Sequence, residues 1–165
     1  FGAESVVDLV DKHENLLVVQ TLSKSRSLAG LRVGWAFGQE HLTDGLTRVK
    51  DSINSYTLDR LALIGAAEAI KDEEYFQETR EKIIATRDRI TDSLESMGFR
   101  VIPSKANFIF ITHENTPAED IFKRLKEEGV LVRYFKKPGI DNFLRVSIGT
   151  DAEMDILIEK LLIVL

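Results

Sequence analysis

The stretch QTLSKSRSLAGLRVGWAFG, from Gln20 to Gly38, decides the fold that the sequence predicts. The apolar run Leu16–Val19 leads into it and predicts a buried strand, and the apolar run Val33–Phe37 predicts a second strand. Strands that are apolar throughout are typical of a sheet covered on both faces. The polar loop between these strands, which carries Ser23 and Lys24, is therefore expected at the end of a buried sheet in an α/β fold.

Three polar side chains in this stretch suit one kind of chemistry. Lys24 directly follows the hydroxyl of Ser23, and Arg32 comes eight residues later. A lysine amine forms a Schiff base with an aldehyde cofactor, and a hydroxyl and a guanidinium together bind a phosphate. A lysine in a polar loop is more often a solvated surface charge, so spacing alone leaves both interpretations open.

The order of residues in this stretch also resembles that of a known protein family. Thr21–Lys24 and Leu28–Gly34 resemble the lysine segment of pyridoxal-phosphate (PLP) aminotransferases of fold type I, most closely that of histidinol-phosphate aminotransferases. The family pattern is Ser-Lys, a few residues, and then Leu-Ala-Gly-x-Arg. The resemblance implies an α/β fold of the PLP-dependent transferase type I, with pyridoxal 5'-phosphate as the cofactor. It implies that Lys24 is the catalytic residue and binds PLP, and that Ser23 and Arg32 bind the cofactor phosphate.

The same resemblance implies an activity. It implies a cytoplasmic, homodimeric transaminase that exchanges an amino group between histidinol phosphate and 2-oxoglutarate in histidine biosynthesis. Arg26 and Ser27 stand where many family members have an aromatic residue and a glycine, and this departure bears on the choice of amino donor. Related enzymes with the same motifs act on aromatic amino acids or decarboxylate threonine phosphate, so these reactions stay open as alternatives.

Two arginines near the end of the chain are candidate substrate ligands. The alternation in Phe143–Ile148 predicts a strand with Arg145 on the face opposite its aliphatic residues. A guanidinium on a strand suits bidentate binding of a carboxylate or phosphate, although such an arginine is more often an exposed sheet residue. The resemblance assigns Arg145, in the motif LRVSIG, to the substrate carboxylate, and Arg133 to substrate anion binding. With Lys24 and Arg32, these arginines are expected to form a local cationic site.

Composition excludes several other classes of protein. The chain has 165 residues, of which 44% are hydrophobic and 30% are charged, and its net charge of -5 argues against general nucleic-acid binding. The absence of cysteine excludes disulfides, cysteine-ligated zinc and thiol catalysis. The three histidines lack metal-ligand spacing, so no metal site is predicted. No apolar run approaches the roughly 18 residues that a membrane helix needs.

The pattern of elements predicts three segments. Residues 1–71 are expected to be the C-terminal part of a PLP-binding large domain, 72–97 a long linking helix, and 98–165 a small α+β domain with the order ββαββα. Such an enzyme needs about twice this length. The chain is therefore expected to be the C-terminal portion of a longer enzyme and to be inactive by itself. The alternative from another class is a non-catalytic fragment that folds or oligomerises.

Smaller elements are also predicted. The apolar residues within Glu4–Lys12 predict a short helix. Two capping boxes are predicted, at Thr116–Glu119 and at Thr150–Glu153, because each pairs a threonine with a glutamate three residues later.

Overall fold

The computed structural model describes residues 1–165 and divides them into two compact units. The N-terminal unit comprises Ala3–Glu78, and the C-terminal unit comprises Thr79–Leu165 with Phe1–Gly2. The elements in chain order are β1 (Leu17–Thr21), α1 (Leu22–Ser25), β2 (Gly34–Gly38), α2 (Glu40–Asn54), α3 (Arg60–Lys71), α4 (Glu73–Ser96), β3 (Phe99–Ile102), β4 (Phe108–His113), α5 (Ala118–Glu127), β5 (Arg133–Tyr134), β6 (Leu144–Ser147) and α6 (Asp151–Val164), with 3₁₀ turns at Val7–Leu9 and Ala29–Leu31.

The N-terminal unit is built on a two-stranded antiparallel ribbon. Strands β1 and β2 pair along their whole length, from Leu17 opposite Gly38 to Thr21 opposite Gly34. The small core beside the ribbon combines residues from the connection between the strands with the alanine-rich face of α3. Its buried members are Leu22, Val33, Ala62 and Ala66. Because Asp59 caps α3 by accepting a hydrogen bond from the Ala62 N–H, the helix begins where this apolar face begins.

Two sequence predictions fail in this unit. The strands were expected to be buried on both faces, but the side chains of Val19 and Phe37 are 70% and 42% exposed. A ribbon of two antiparallel strands does not require covered faces, unlike a parallel sheet, so its apolar residues do not by themselves imply burial. The helix predicted over Glu4–Lys12 is reduced to the 3₁₀ turn Val7–Leu9, in which no residue is buried.

The C-terminal unit is an antiparallel sheet with helices on one face. The strand order is β3-β4-β6-β5, and all three pairings are antiparallel. Alternate strand residues and the apolar faces of three helices form one core, whose buried members are Ile90, Leu94, Phe99, Val101, Ile109, Ile111, Ala118, Ile121, Leu125, Leu144, Val146, Ile148, Met154, Leu157, Leu161 and Val164. The structure thus has the predicted order ββαββα.

The two predicted capping boxes have different outcomes. The box at Thr150 is confirmed, because the Thr150 side chain accepts from the Glu153 N–H and the Glu153 carboxylate accepts from the Thr150 N–H. The box at Thr116 is wrong, since α5 begins one residue later with Pro117 at its N-cap. A proline has no hydroxyl to cap with, and the amide oxygen of Asn142 accepts the Ala118 N–H instead, at 2.9 Å.

We expect Thr150→Ala to lower the free energy of unfolding by about 1 kcal/mol at pH 7. Hydrogen bonds from the Thr150 backbone N–H and, second, from the Thr150 hydroxyl hold the pKa of the Glu153 carboxyl below its usual value, and the alanine variant loses only the second. A lowered pKa stabilises the fold above about pH 4.5, and this stabilisation is lost as the pH falls through the lower folded value. Urea titrations should therefore show that Thr150→Ala loses less free energy of unfolding at pH 3 than at pH 7.

The matched control is Thr116→Ala, because the Thr116 side chain caps no helix. We expect a change within about 0.5 kcal/mol for this variant. Equal losses for the two threonines would contradict the assignment of the capping box.

Candidate active site

The ribbon brings Ser23 and Arg32 to the same end of the N-terminal unit. The last paired residues of β1 and β2 are Thr21 and Gly34. One further backbone hydrogen bond, from the Leu22 N–H to the Val33 carbonyl at 3.1 Å, extends this pairing beyond the strands. Ser23 directly follows Leu22, and Arg32 directly precedes Val33. Their main chains are therefore held side by side, as the assignment of both residues to one phosphate requires.

Lys24 lies in a short helix rather than in the predicted loop. This helix, α1, has only four residues, and the Thr21 side chain caps it by accepting from the Ser23 N–H at 3.1 Å. The Thr21 hydroxyl also donates to Ser23 Oγ at 2.9 Å. Leu22, the first residue of this helix, is only 1% exposed and packs in the core. The Lys24 side chain is exposed. The amine is thus presented on a fixed turn of backbone.

Thr21 is a residue that the sequence interpretation missed. Its hydroxyl contacts both Ser23 and, at 3.3 Å, the Val33 carbonyl oxygen. It therefore links the start of the Lys24 turn to the strand that follows Arg32. A threonine directly before the first residue of a four-residue helix is a typical N-cap, and this was the available signal.

The backbone around Arg32 is held in a left-handed conformation. Arg32 has φ 57° and ends the 3₁₀ turn Ala29–Leu31, and its Nη1 donates to the Ala29 carbonyl at 3.0 Å. Ser27 has φ 56°, so the segment between them has a left-handed non-glycine residue at each end. Such residues are uncommon and are concentrated at functional sites, where the surrounding structure holds them. The guanidinium of Arg32 is exposed and anchored at one nitrogen.

Gly34 allows the two strands to approach closely at this end of the ribbon. A Cβ at Gly34 would lie 2.7 Å from the backbone carbonyl oxygen of Gln20. We expect Gly34→Ala to lower the free energy of unfolding by about 1–3 kcal/mol, because backbone atoms must move to admit the methyl group. A denaturant titration measures this loss.

Gly45→Ala is the matched control for that variant. Gly45 lies within α2, where a Cβ would meet no atom within 4 Å. Alanine in an open helical position should raise the free energy of unfolding by about 0.5–1 kcal/mol. If both alanine variants changed stability in the same direction, close packing at Gly34 would not be the cause.

Arg133 and Arg145 lie side by side in the C-terminal unit. They are directly opposite each other in the pairing of β5 with β6. Arg145 is half-buried and Arg133 is exposed. The guanidinium carbon of Arg133 lies 5.4 Å from the centre of the Phe135 ring, and that of Arg145 lies 5.8 Å from it. Like charges directly opposite one another destabilise a sheet, so this pair suits an anion that neutralises both arginines.

Aromatic rings surround these arginines, and most of them were missed from the sequence. The Arg145 guanidinium lies 5.3 Å from the centre of the Phe108 ring. The rings of Phe110 and Phe143 stack with their centres 4.6 Å apart, on the face of the sheet opposite the helices. The alternation of Phe108 and Phe110 with buried isoleucines carried this signal. The result is an arginine–phenylalanine face that combines two positive charges with flat apolar rings.

Comparison with known proteins identifies the class. Residues 1–161 match the sequence profile of the family "Aminotransferase class I and II", and the chain belongs to this family. The predicted family and the predicted α/β fold of PLP-dependent transferases are both confirmed.

The similar proteins include enzymes with a more specific name. The chain is 62% identical over 161 residues to a histidinol-phosphate aminotransferase from Clostridium acetobutylicum, covering 98% of this chain and 46% of the relative. It is 56% identical over 165 residues to the enzyme of that name from Clostridium beijerinckii, covering 100% of this chain and 46% of the relative. The chain therefore spans about half the length of the curated relatives it matches.

A solved structure gives the same result. Histidinol-phosphate aminotransferase from Sinorhizobium meliloti, in complex with pyridoxal-5'-phosphate, superposes with a TM-score of 0.84 at 26% identity. The match covers 96% of this chain and 43% of that one.

None of the helices in the structure combines the length and the hydropathy needed to cross a bilayer.

Proposed function

We propose that this chain provides the lysine and the substrate-binding arginines of a PLP-dependent transaminase that acts on histidinol phosphate and 2-oxoglutarate. The observation that carries the proposal is the closed end of the β1–β2 ribbon. There, Ser23 and Arg32 follow the last backbone hydrogen bond on each side, and Lys24 projects from the same turn. The names of the relatives at 56–62% identity support the choice of substrate.

The side chains at the end of the ribbon fit the chemical groups of PLP. The Ser23 hydroxyl, 2.9 Å from the Thr21 hydroxyl, is a donor of the kind that a phosphate oxygen accepts. Arg32 uses Nη1 for the Ala29 carbonyl, and its remaining N–H groups suit the same phosphate. Lys24 is exposed and has the primary amine that condenses with an aldehyde, with loss of water. We infer that these three residues hold the cofactor.

Lys24 has a second role in the proposed reaction. PLP, when bound, supplies the electron sink that makes the substrate Cα–H acidic. Lys24 lies on a short anchored turn, and its Nζ would be a free amine whenever an amino donor took its place on the cofactor. We propose that this Nζ would accept the proton from the substrate Cα as a general base and would then deliver it, as a general acid, to the carbon that was the cofactor's aldehyde carbon, so that the amino group stays with the cofactor.

Arg145 and Arg133 are proposed to bind the anionic end of the substrate. Their direct opposition on β5 and β6 makes a doubly charged site, which suits a phosphate or a carboxylate group. Arg145 is the better anchored of the two, since it is half-buried between the rings of Phe108 and Phe135. We therefore assign the larger contribution to Arg145.

The assembly and location of the protein are part of the same proposal. We propose a cytoplasmic homodimer of the complete native polypeptide, as the family resemblance implies. Exposed apolar side chains at the end of α2 and the start of α3 support an interface, and they include Ile53, Tyr56 and Leu61.

A second candidate function is transamination of aromatic amino acids. The observation in its favour is the arginine–phenylalanine face, where the rings around Arg145 suit an aromatic side chain next to a carboxylate. Arg26 and Ser27, which depart from the family pattern, also leave the amino donor open.

A substrate panel tests the proposed function. The complete native polypeptide that contains these residues is loaded with PLP and assayed for glutamate formation from 2-oxoglutarate with histidinol phosphate, histidinol and phenylalanine, and for CO₂ release from threonine phosphate. We expect histidinol phosphate to exceed histidinol by about 10- to 150-fold in kcat/KM, because charged hydrogen bonds to its phosphate are lost in histidinol. Turnover of phenylalanine alone would establish the second candidate. No turnover of any donor would favour a non-catalytic protein.

A further inference from the structure

Arg26 joins the Lys24 turn to a distant part of the N-terminal unit. Its Nη1 donates to the Asp72 carbonyl at 2.9 Å, and its Nη2 lies 2.9 Å from Glu73 Oε2. Its guanidinium also lies 3.8 Å from the centre of the Phe76 ring. The side chain is only 13% exposed, although Glu73 is 58% exposed. A carbonyl, a carboxylate and an aromatic ring thus hold one guanidinium.

The partner site of Arg26 is the junction of two helices. Asp72 is the C-cap of α3, and its side chain accepts the Tyr75 N–H in the first turn of α4. A carbonyl at the C-terminal end of a helix favours a cation, because the helix dipole is negative there. The Glu73 carboxylate adds a second negative group. The junction therefore has the negative groups that bind an arginine. Its residues Asp72 and Glu73 lie 46 and 47 residues after Arg26 in the sequence.

A four-residue helix needs such an anchor. Helices this short are not stable by themselves, because the cost of forming the first turn is not recovered. Thr21 fixes the beginning of α1, and Arg26 is the residue that ends it, with its N–H directed at the Leu22 carbonyl. Ser27 then takes a left-handed conformation and turns the chain away. The side chain of Arg26 is thus the fixed point at the C-terminal end of the Lys24 turn.

We propose that Arg26 is a positioning residue, which holds the Lys24 turn against the α3–α4 junction so that the amine is ready to bind the cofactor. The proposal rests on the proposed function for the role of Lys24, and on the contacts of Arg26 for the rest. The Arg26 side chain contacts Asp72, Glu73 and Phe76, and it is not proposed to touch cofactor or substrate. It lowers the mobility of the two residues that carry the amine and the hydroxyl, Lys24 and Ser23.

The test compares Arg26→Met with the unchanged protein in the complete native polypeptide. Methionine keeps much of the length but makes none of the charged contacts, and Arg26→Lys keeps one charge without the planar fork. The matched control is Lys71→Met, which breaks an exposed ion pair with Glu68 at the end of α3. Two readouts are used. Hydrogen exchange is measured for residues 22–27 without PLP, and the rate of borohydride-trapped PLP attachment at Lys24 is measured separately.

We expect Arg26→Met to speed exchange at residues 22–27 by about 10- to 100-fold, and to slow PLP attachment, with exchange in α5 and α6 unchanged. Arg26→Lys should fall between, and Lys71→Met should match the unchanged protein. If Arg26→Met does not fold, Glu73→Gln replaces it, with a smaller effect in the same direction. Unchanged exchange, or faster exchange throughout the protein, would overturn the proposal. If the unchanged protein attached no PLP at Lys24, the proposed function would fail, while the exchange data would still decide whether Arg26 holds the turn.

Discussion

Replacing Lys24 with alanine is expected to lower the turnover of histidinol phosphate by about 10²- to 10⁴-fold. The variant lacks the amine that is proposed to move the substrate proton, and general acid–base catalysis contributes a factor of this size. It also lacks the covalent attachment point for the cofactor. Because the Lys24 side chain is exposed and makes no ion pair, the free energy of unfolding should change by less than about 0.5 kcal/mol. Steady-state kinetics and a urea titration on the same sample measure both effects.

Two further variants separate the amine from the charge. Lys24→Arg keeps a positive charge, but a guanidinium does not serve as the nucleophile or base, so it should be as inactive as the alanine variant. Lys50→Ala removes a lysine from an exposed ion pair with Asp51 in α2, and it should keep full activity. Activity of Lys24→Ala or Lys24→Arg close to that of the unchanged protein would show that another amine does the chemistry.

Replacing Arg145 with glutamine is expected to lower kcat/KM for histidinol phosphate by about 10- to 150-fold, mainly through a higher KM. Hydrogen bonds to a charged group are worth about 1.5–3 kcal/mol, and this range corresponds to the expected factor. The loss should be smaller for histidinol, which has no phosphate to bind. Arg133→Gln should have a weaker effect of the same kind, because Arg133 is exposed and Arg145 is half-buried.

The matched control for both arginines is Lys123→Gln in the same unit. Lys123 lies on α5 in an exposed ion pair with Glu119, so its loss also removes one positive charge from this unit. Its effect on kcat/KM should be less than twofold. An equal loss for histidinol and histidinol phosphate in Arg145→Gln would argue against phosphate binding by this residue. An equal loss in Lys123→Gln would show that net charge, and not position, is responsible.

The parts of the fold that were predictable are those set by local pattern. The alternation within Phe143–Ile148 gave the correct faces, because a strand in an antiparallel sheet with helices on one side must bury every second residue. The box at Thr150 was predictable for a similar reason, since all its hydrogen bonds lie within four residues. The box at Thr116 failed because Asn142, 24 residues from Ala118 along the chain, supplies the cap.

The residues of the candidate site likewise include some that the sequence predicted and one that it did not. The order of Ser23, Lys24 and Arg32 was visible in the sequence, and the β1–β2 pairing explains how the chain brings the ends of that segment together. The role of Arg26 was not visible, because its partners lie 46 and 47 residues away and include a backbone carbonyl. No local pattern marks such a contact. The assignments of Lys24, Ser23, Arg32, Arg133 and Arg145 to cofactor and substrate remain predictions that the variants above test.

The most direct measurement is the mass of the peptide that carries the cofactor. The complete native polypeptide is incubated with PLP, reduced with borohydride, digested and analysed by tandem mass spectrometry. We expect one phosphopyridoxyl group, located on Lys24, in a peptide that contains Thr21–Arg26. A label on a different lysine, or an unlabelled Lys24 under saturating PLP, would contradict it.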